Sequence, residues 1–271
     1  SLAIIYHAQD LISGQDIAVK LMQDPTSLEY KFHILKNLHG GTGFLKPLWF
    51  GRELSYQVLV LNNVAAPICD ILGMQGGCFS IDNILALGCQ LLQRLEYVHS
   101  CNYIHCGIKL QNILIGHGGS ILIDFSITMQ YHDLATHAHT PYQQGCPFVG
   151  TPAFASVNHH LGIQSSHHND IKSLAYMLIY LLHGSLPWFN CNSSVLSQDA
   201  ILKMKQDIMV KELCGDTPHV FATFLKYLCS LAYAEKPDYI YLHSLFCVLN
   251  SSAVSCIVQL LFCFVAKLTK S

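Results

Sequence analysis

The sequence has few charged side chains. Charged residues make up 12% of the 271 residues, hydrophobic residues make up 51%, and the formal net charge is −2. Arginine occurs only at Arg52 and Arg94, and there is no run of basic residues. A nucleic-acid-binding surface needs clustered positive charge, so nucleic acid is not an expected partner. The apolar content predicts a well-filled core in one large domain or in two lobes that share a cleft.

The twelve cysteines form no regular framework. A chain of this length and apolar content does not need disulfides for stability, so we expect reduced thiols in an intracellular protein, cytoplasmic or nuclear. The alternative is a metal site. However, the pairs His105-Cys106, His159-His160 and His167-His168 are adjacent in sequence, unlike the spaced ligand pairs of zinc sites. The pattern therefore disfavours structural zinc.

Neither end of the chain carries a clear targeting segment. Ser1 is not followed by the charged and then apolar segments of a signal peptide. Residues 245–266 contain no charged side chain and are long enough to cross a bilayer. Polar residues such as Asn250 and Gln259 dilute this stretch. A helix packed on the domain or a non-native tail is therefore favoured over a membrane anchor.

Two motifs in the middle of the chain carry the functional signal. Residues 103–114 read YIHCGIKLQNIL, and residues 123–126 read IDFS. They match the catalytic loop H-R-D-x-K-x-x-N and the D-F-G motif of protein kinases. In that template the loop aspartate accepts the substrate hydroxyl proton, and the asparagine and the second aspartate hold Mg²⁺. Four residues are in register with the template: His105, Lys109, Asn112 and Asp124. The position of the base, however, is Gly107.

The preceding residues predict a small, β-rich lobe. Apolar runs at residues 4–8 and 17–21 flank a turn and predict a hairpin, and further strands are expected at 48–51 and 56–61. Lys20 ends the second strand at the position of the kinase lysine that holds ATP phosphates. Asn62 and Val64 fall at the expected hinge, where an adenine ring would bind.

The long apolar pattern after the hinge predicts a mainly helical large lobe. Helices are expected at residues 81–100, 171–182, 202–213 and 221–233. The predicted fold class is thus α+β, a two-lobed kinase-like fold. Its predicted divisions are a partial N-lobe (1–64), a C-lobe (65–249) and an apolar tail (250–271).

Two features of the predicted N-lobe depart from the template. No Gly-rich phosphate loop precedes Lys20, so the N-lobe is expected to be truncated and to lack the backbone N–H groups that cover the phosphates. The template glutamate on the helix at 28–38 is replaced by Lys31. Two ammoniums about 4 Å apart at an effective dielectric of about 20 repel by roughly 4 kcal/mol. We therefore expect Lys31 to turn into solvent and the helix to lie outward.

Several segments closely resemble the casein kinase I family of Ser/Thr kinases. The resemblance covers residues 2 to 249 approximately, and the run after Gly150 is its most specific part, since other kinase families carry A-P-E there. Its Ala-Phe form resembles kinases that are expanded in mushroom-forming fungi. The matching segments are LEYVH (95–99), GGTG (40–43), GTPAFASVNHHLG (150–162), GSLPW (184–188) and KPDYIYL (236–242).

The resemblance implies ATP and Mg²⁺ as cofactors and acidic or phosphorylated protein substrates. It also implies that Lys109 neutralises the transferring phosphoryl group, that Asn112 and Asp124 bind metal, and that Thr151 supports the catalytic loop. Asp170 would anchor that loop from the next helix. Because both metal ligands are retained and the phosphate cover is not, we expect weak, Mg²⁺-dependent nucleotide binding.

The departures from the family weaken both phosphoryl transfer and substrate choice. Gly107 removes the base, and Cys106 and Ser126 replace the arginine and the glycine of the two motifs. The family's phosphate-binding basic residues are replaced as well: Met129, Gln130, His132, His167 and His168 stand in their places. Neutral histidines bind phosphate weakly at pH 7.

Three functions remain open. The first is a pseudokinase that acts through protein binding, and the second is a residual Ser/Thr kinase. The third is a non-functional, decaying paralogue, because arginine-to-histidine, glutamate-to-lysine and glycine-to-serine changes each arise by a single transition. Histidine and cysteine codons no closer than chance to CG-starting arginine codons would contradict that history.

Overall fold

A four-stranded antiparallel sheet forms the small lobe in the computed structural model, which describes residues 4–23, 27–62, 65–74, 79–116, 118–133, 138–190 and 196–247. Its spatial order is β1-β2-β4-β3, so the predicted hairpin and strand pair are confirmed. The strands are β1 (Ile4–Gln9), β2 (Asp16–Met22), β3 (Pro47–Glu53) and β4 (Tyr56–Asn62).

The hairpin turn between β1 and β2 is closed by Asp10. Its carboxylate accepts hydrogen bonds from the Ile12 N–H at 2.9 Å and from the Ser13 hydroxyl at 2.8 Å. Gly14 takes φ of +69°, a left-handed conformation that glycine adopts without a steric penalty. The turn fixes the strand register, which sets Lys20 between Ile5 of β1 and Leu59 of β4.

Helix α1 (Ser27–Asn37) contacts β3, β4 and the turn at Phe125–Ile127. Leu28 and Ile34 are at most 1% exposed, as expected for the apolar stripe of an amphipathic helix. The Tyr30 hydroxyl donates a 2.7 Å hydrogen bond to the Thr128 carbonyl. The helix therefore lies against the site, and the expectation that it lies outward is wrong.

The large lobe is mainly helical over the described ranges. Helices α3 and α5 contact each other and bury most of their apolar side chains, and the Ser80 hydroxyl caps α3 by accepting from the Asn83 N–H. The helices are α2 (Ile68–Met74), α3 (Ile81–Ser100), α4 (Val157–His160), α5 (His167–His183), α6 (Gln198–Asp207), α7 (Val210–Cys214), α8 (His219–Ser230) and α9 (Tyr239–Cys247).

Short strands frame the loop that holds the first motif. One small sheet has the order β5-β7-β8, and β6 pairs with β9. These strands are β5 (Ala66–Pro67), β6 (Tyr103–Ile104), β7 (Ile113–Gly116), β8 (Gly119–Leu122) and β9 (Met129–Gln130). The segment after β6 and the segment between β8 and β9, which hold the two motifs, are thereby brought side by side.

The predicted single helix at 202–213 is wrong. Helix α6 ends at Asp207, and Ile208 and Met209 are extended before α7 begins. The apolar pattern continues through the break because Ile208 packs against the core even though its backbone is not helical. Periodicity alone could not reveal the interruption.

The predicted apolar tail lies outside the described residues. Helix α9 ends at Cys247, where the description of the chain also ends. Within the described ranges, no helix combines the length and apolar character needed to cross a membrane.

Replacing Phe246 with alanine should destabilise the large lobe. The Phe246 ring is fully buried, with its centroid 5.0 Å from that of Phe224, so truncation leaves a cavity. We expect the free energy of unfolding, measured with urea, to fall by about 3–5 kcal/mol. The matched control is Ile240→Ala on the same helix, because Ile240 is 83% exposed. Equal losses in the two variants would show that α9 is not packed as described.

Candidate active site

The loop after β6 is built around the buried side chain of His105. The His105 Nε2–H donates to the Ile123 carbonyl at 3.1 Å, and its Nδ1 accepts from the Gly107 N–H at 3.1 Å. These two bonds define one neutral tautomer. Burial lowers the pKa of His105, which keeps it neutral. His105 therefore ties the loop to the Asp124 segment and positions it, without offering a proton acceptor to a substrate.

Asp170 anchors the same loop from α5. One carboxylate oxygen accepts the His105 N–H at 2.7 Å, and the other accepts the Cys106 N–H at 2.8 Å. His99 donates to the carboxylate from Nε2 at 2.9 Å. Burial alone would raise the pKa of Asp170, but these hydrogen bonds outweigh it and lower the pKa. The charged carboxylate holds Cys106 at φ of +62°, a conformation that non-glycine residues rarely adopt.

The position of the catalytic base contains no side chain. A Cβ built on Gly107 would have as its nearest atoms Ile127 Cδ1 at 3.3 Å, Asn112 Nδ2 at 3.4 Å and His105 Cε1 at 3.4 Å. None of these atoms can accept the proton of an alcohol. The Asn112 amide is itself used, because Nδ2 donates to the Gly107 carbonyl at 2.8 Å.

The carboxylate of Asp124 is bound by a lysine. Lys31 Nζ lies 2.9 Å from Asp124 Oδ1, and the Ser126 hydroxyl donates to the same oxygen at 3.1 Å. Lys31 is only 7% exposed, so the expectation that it turns into solvent is wrong. The physical reason is Asp124, whose carboxylate offsets the repulsion between Lys31 and Lys20. Although burial opposes ionisation, Lys31 and Lys20 lower the pKa of Asp124.

Lys20 lines a cavity of about 290 Å³ between the lobes, together with Lys31 and Asp124. Burial and then the nearby Lys31 ammonium lower the pKa of Lys20 to about 8. The remaining wall is largely apolar and is formed mainly by Ala18, Leu45, Leu59, Leu61, Leu114 and Ile123. A few polar groups at one end of an apolar cleft are typical of a small-molecule site.

Three other predicted residues, Asn62, Lys109 and Thr151, are not among the residues that line this cavity. Asn62 ends β4, and its side-chain oxygen accepts from the Lys46 N–H. Lys109 precedes the turn that carries Asn112. Thr151 follows Gly150, whose Cβ position would lie 3.0 Å from the Cys106 carbonyl, so its segment passes close to the loop. Val64 lies outside the described residues. The roles given to these four residues stay predictions.

The Asp124 and Asn112 side chains do not fit a magnesium ion as arranged. Asp124 Oδ1 is bound by the Lys31 ammonium, and Asn112 Nδ2 donates to the Gly107 carbonyl. Among the described residues, no cluster of three or more His, Cys, Asp or Glu side chains is suited to a metal. A metal at Oδ1 of Asp124 would have to compete with the Lys31 ammonium, so no chemical step is assigned to one.

The expected substrate-binding side contains a cluster of histidine rings. The His167 ring centroid lies 4.5 Å from that of Tyr131 and 5.3 Å from that of His139. Burial and the neighbouring histidines lower the pKa of His167 to about 3, and burial with Lys172 lowers that of His168 to about 3. Both are neutral near pH 7, so neither supplies the positive charge that a phosphate-binding surface needs.

The geometry defines a kinase-type cleft with a modified centre. The model of the protein kinase domain matches residues 6–239, which is most of the chain. The chain therefore belongs to the protein kinase domain family. Members of this family generally use ATP with Mg²⁺ and phosphorylate proteins.

Sequence reasoning missed the pairing of Lys31 with Asp124. It placed Lys31 beside Lys20 but treated the two ammoniums as an isolated pair. The available signal was the D-F-G aspartate itself, because in the kinase template this aspartate lies close to the lysine that corresponds to Lys20. Sequence reasoning also missed His99, which is buried between Asp170 and Tyr239. The segment LEYVH contained no chemical signal for that contact.

Acid should destabilise the fold through its buried neutral histidines. In the unfolded chain, His167 and His168 bind protons below about pH 6.5. In the folded chain, the same two side chains stay neutral until the pH falls to about 3. Stability should thus be lost as the pH falls through this window, by about 1.4 kcal/mol per pH unit for each histidine. His167→Asn should reduce the slope, measured by urea unfolding between pH 5 and 7.

The matched control for this measurement is His39→Asn, which changes an exposed histidine in a turn and should keep the wild-type slope. An unchanged slope in His167→Asn would contradict the assignment of a buried neutral ring at this position.

Proposed function

We propose that this protein is a casein kinase I-like pseudokinase. In this function the cleft binds ATP weakly, transfers its phosphate poorly or not at all, and the domain acts by binding protein partners. Competition with an active relative for shared partners is one way in which it would act. The motif segments GTPAFASVNHHLG and KPDYIYL support the subfamily, and the altered centre supports the loss of activity.

The observation that carries this proposal is the bare position at Gly107. A kinase base must lie within hydrogen-bonding reach of the substrate hydroxyl. The atoms nearest to a Cβ at this position are a methyl carbon, an amide nitrogen and an imidazole carbon. Loss of a positioned base typically costs about 10²- to 10⁴-fold in rate.

The phosphate end of the cleft is also changed. Lys20 has no glutamate partner on α1, because that helix presents Lys31 instead. In active protein kinases the lysine–glutamate pair and the metal at the D-F-G aspartate must both be in place. The loss of this pair lowers the rate further, beyond the loss of the base. The two effects on the rate do not simply add as free energies.

A residual Ser/Thr kinase is the second candidate, and the intact loop scaffold favours it. Asp170 and His105 hold the loop through four hydrogen bonds, and Lys109 is retained at the phosphate-neutralising position. Kinase catalysis depends mainly on positioning and charge stabilisation, so a slow rate without a base is chemically reasonable.

Restoring the base should raise activity. The neighbours of Gly107 need to move by only a few tenths of an ångström to admit a side chain, and the nearest is the flexible tip of Ile127. We expect Gly107→Asp to transfer radiolabelled phosphate from ATP to an acidic protein substrate about 10²-fold or more faster than the wild type. The matched control is Gly118→Asp, where a Cβ meets no atom within 4 Å and no gain is expected.

The wild-type assay separates the two candidates. Wild-type turnover that is abolished by Asp124→Ala would overturn the pseudokinase proposal and support the residual kinase. Absence of turnover in the wild type, with a gain in Gly107→Asp alone, would support the proposal.

A further inference from the structure

We propose that the Lys31 ammonium takes the electrostatic place of the metal ion, so that the cleft binds free ATP more tightly than Mg·ATP. This inference rests on the nucleotide binding proposed above and extends it by naming the ionic form of the ligand. It reverses the expectation from sequence that nucleotide binding depends on Mg²⁺.

The first support is the geometry at Asp124. The Lys31 ammonium lies 2.9 Å from Oδ1, and its side chain is 8% exposed. The Ser126 hydroxyl donates to the same oxygen. The bond joins a buried ammonium to a carboxylate whose side chain is 31% exposed. A charge-assisted bond of this length with one partner buried is stronger than an ion pair that is fully exposed. A divalent ion that binds this oxygen would have to compete with both donors.

The second support is that Lys31 is held where it is. Its helix is fixed by the buried side chains of Leu28 and Ile34 and by the Tyr30 hydrogen bond to the Thr128 carbonyl. Thr128 in turn donates from its hydroxyl to the His105 carbonyl. Withdrawal of the ammonium would disturb the contact of α1 with the D-F-S segment.

The third support is the charge that the phosphates meet. In the kinase template one lysine and two carboxylates leave a net charge of −1, and Mg²⁺ supplies the positive charge that the phosphates meet. Here Lys20, Lys31 and Asp124 give +1 from side chains alone. The side chains of the cleft therefore carry a net positive charge without a metal.

A metal carried in by the nucleotide would act against binding. Two ammoniums line the cavity and repel a divalent cation, and a Mg²⁺ bound to ATP neutralises phosphate charge that these ammoniums would otherwise contact. The apolar wall at Ala18, Leu61 and Leu114 suits a purine ring and does not respond to metal. Mg²⁺ should therefore change the affinity for ATP through the contacts of the phosphates, and not through those of the purine ring.

The test is isothermal titration calorimetry of the full chain with ATP, in EDTA and in excess MgCl2. We expect a Kd about tenfold lower in EDTA, equivalent to about 1.4 kcal/mol. An equal or lower Kd in MgCl2 would overturn the inference. Adenosine should bind more weakly than ATP and be insensitive to MgCl2, and adenosine binding as tight as that of ATP would also overturn it.

Two substitutions at Lys31 sharpen the test. Lys31→Met should weaken ATP binding in EDTA about tenfold and remove the preference for free ATP. Lys31→Glu restores the template pairing with Lys20 and frees Asp124, so its ATP binding should become stronger in MgCl2. The matched control is Lys36→Met on the same helix, because Lys36 is exposed and lies over the Phe32 ring. A Lys31→Glu variant that still prefers free ATP would overturn the inference.

The two proposals fail in different ways. Tighter binding in MgCl2 without phosphate transfer overturns the metal-free inference and leaves the impaired kinase standing. An absence of ATP binding in both buffers overturns this inference together with the nucleotide-binding part of the proposed function. The wild-type comparison needs no variant, so it holds even if a substitution prevents folding.

Discussion

The carboxylate of Asp170 is the constraint on which the rest of the site depends. It is buried, and it receives the N–H groups of His105 and Cys106 together with the His99 ring. An ionised group without these donors would be costly to bury, so the loop and the carboxylate stabilise each other. The loop geometry is thereby preserved even though the residue that gives such loops their chemistry is a glycine.

The site combines a preserved scaffold with a centre that departs from the kinase template. The core helices α3 and α5 and the Asp170 anchor of the loop stabilise the fold, and they match the kinase template. The departures from the kinase template lie at residue 107 and at residue 31. Because the same fold can carry many functions, the fold establishes the family, and the site residues must decide the chemistry.

The ion pair of Lys31 and Asp124 shows how a charge reversal can be accommodated. A lysine in place of a glutamate would be repelled by Lys20 if nothing else changed. The D-F-S aspartate lies close enough to offset that repulsion, so the helix keeps its contact with the site instead of moving outward. The Oδ1 atom of Asp124 thereby serves an internal partner.

The sequence by itself determined the two-lobed architecture, the hairpin that carries Lys20 and the exact bounds of helix α3. It also determined that position 107 has no side chain. These features follow from periodicity, turn chemistry and motif register. Only the tertiary structure decided the direction of Lys31, the break after Asp207 and the burial of His99. Each of these depends on which groups from distant parts of the chain come within a few ångströms, and local pattern contains no information on such distances.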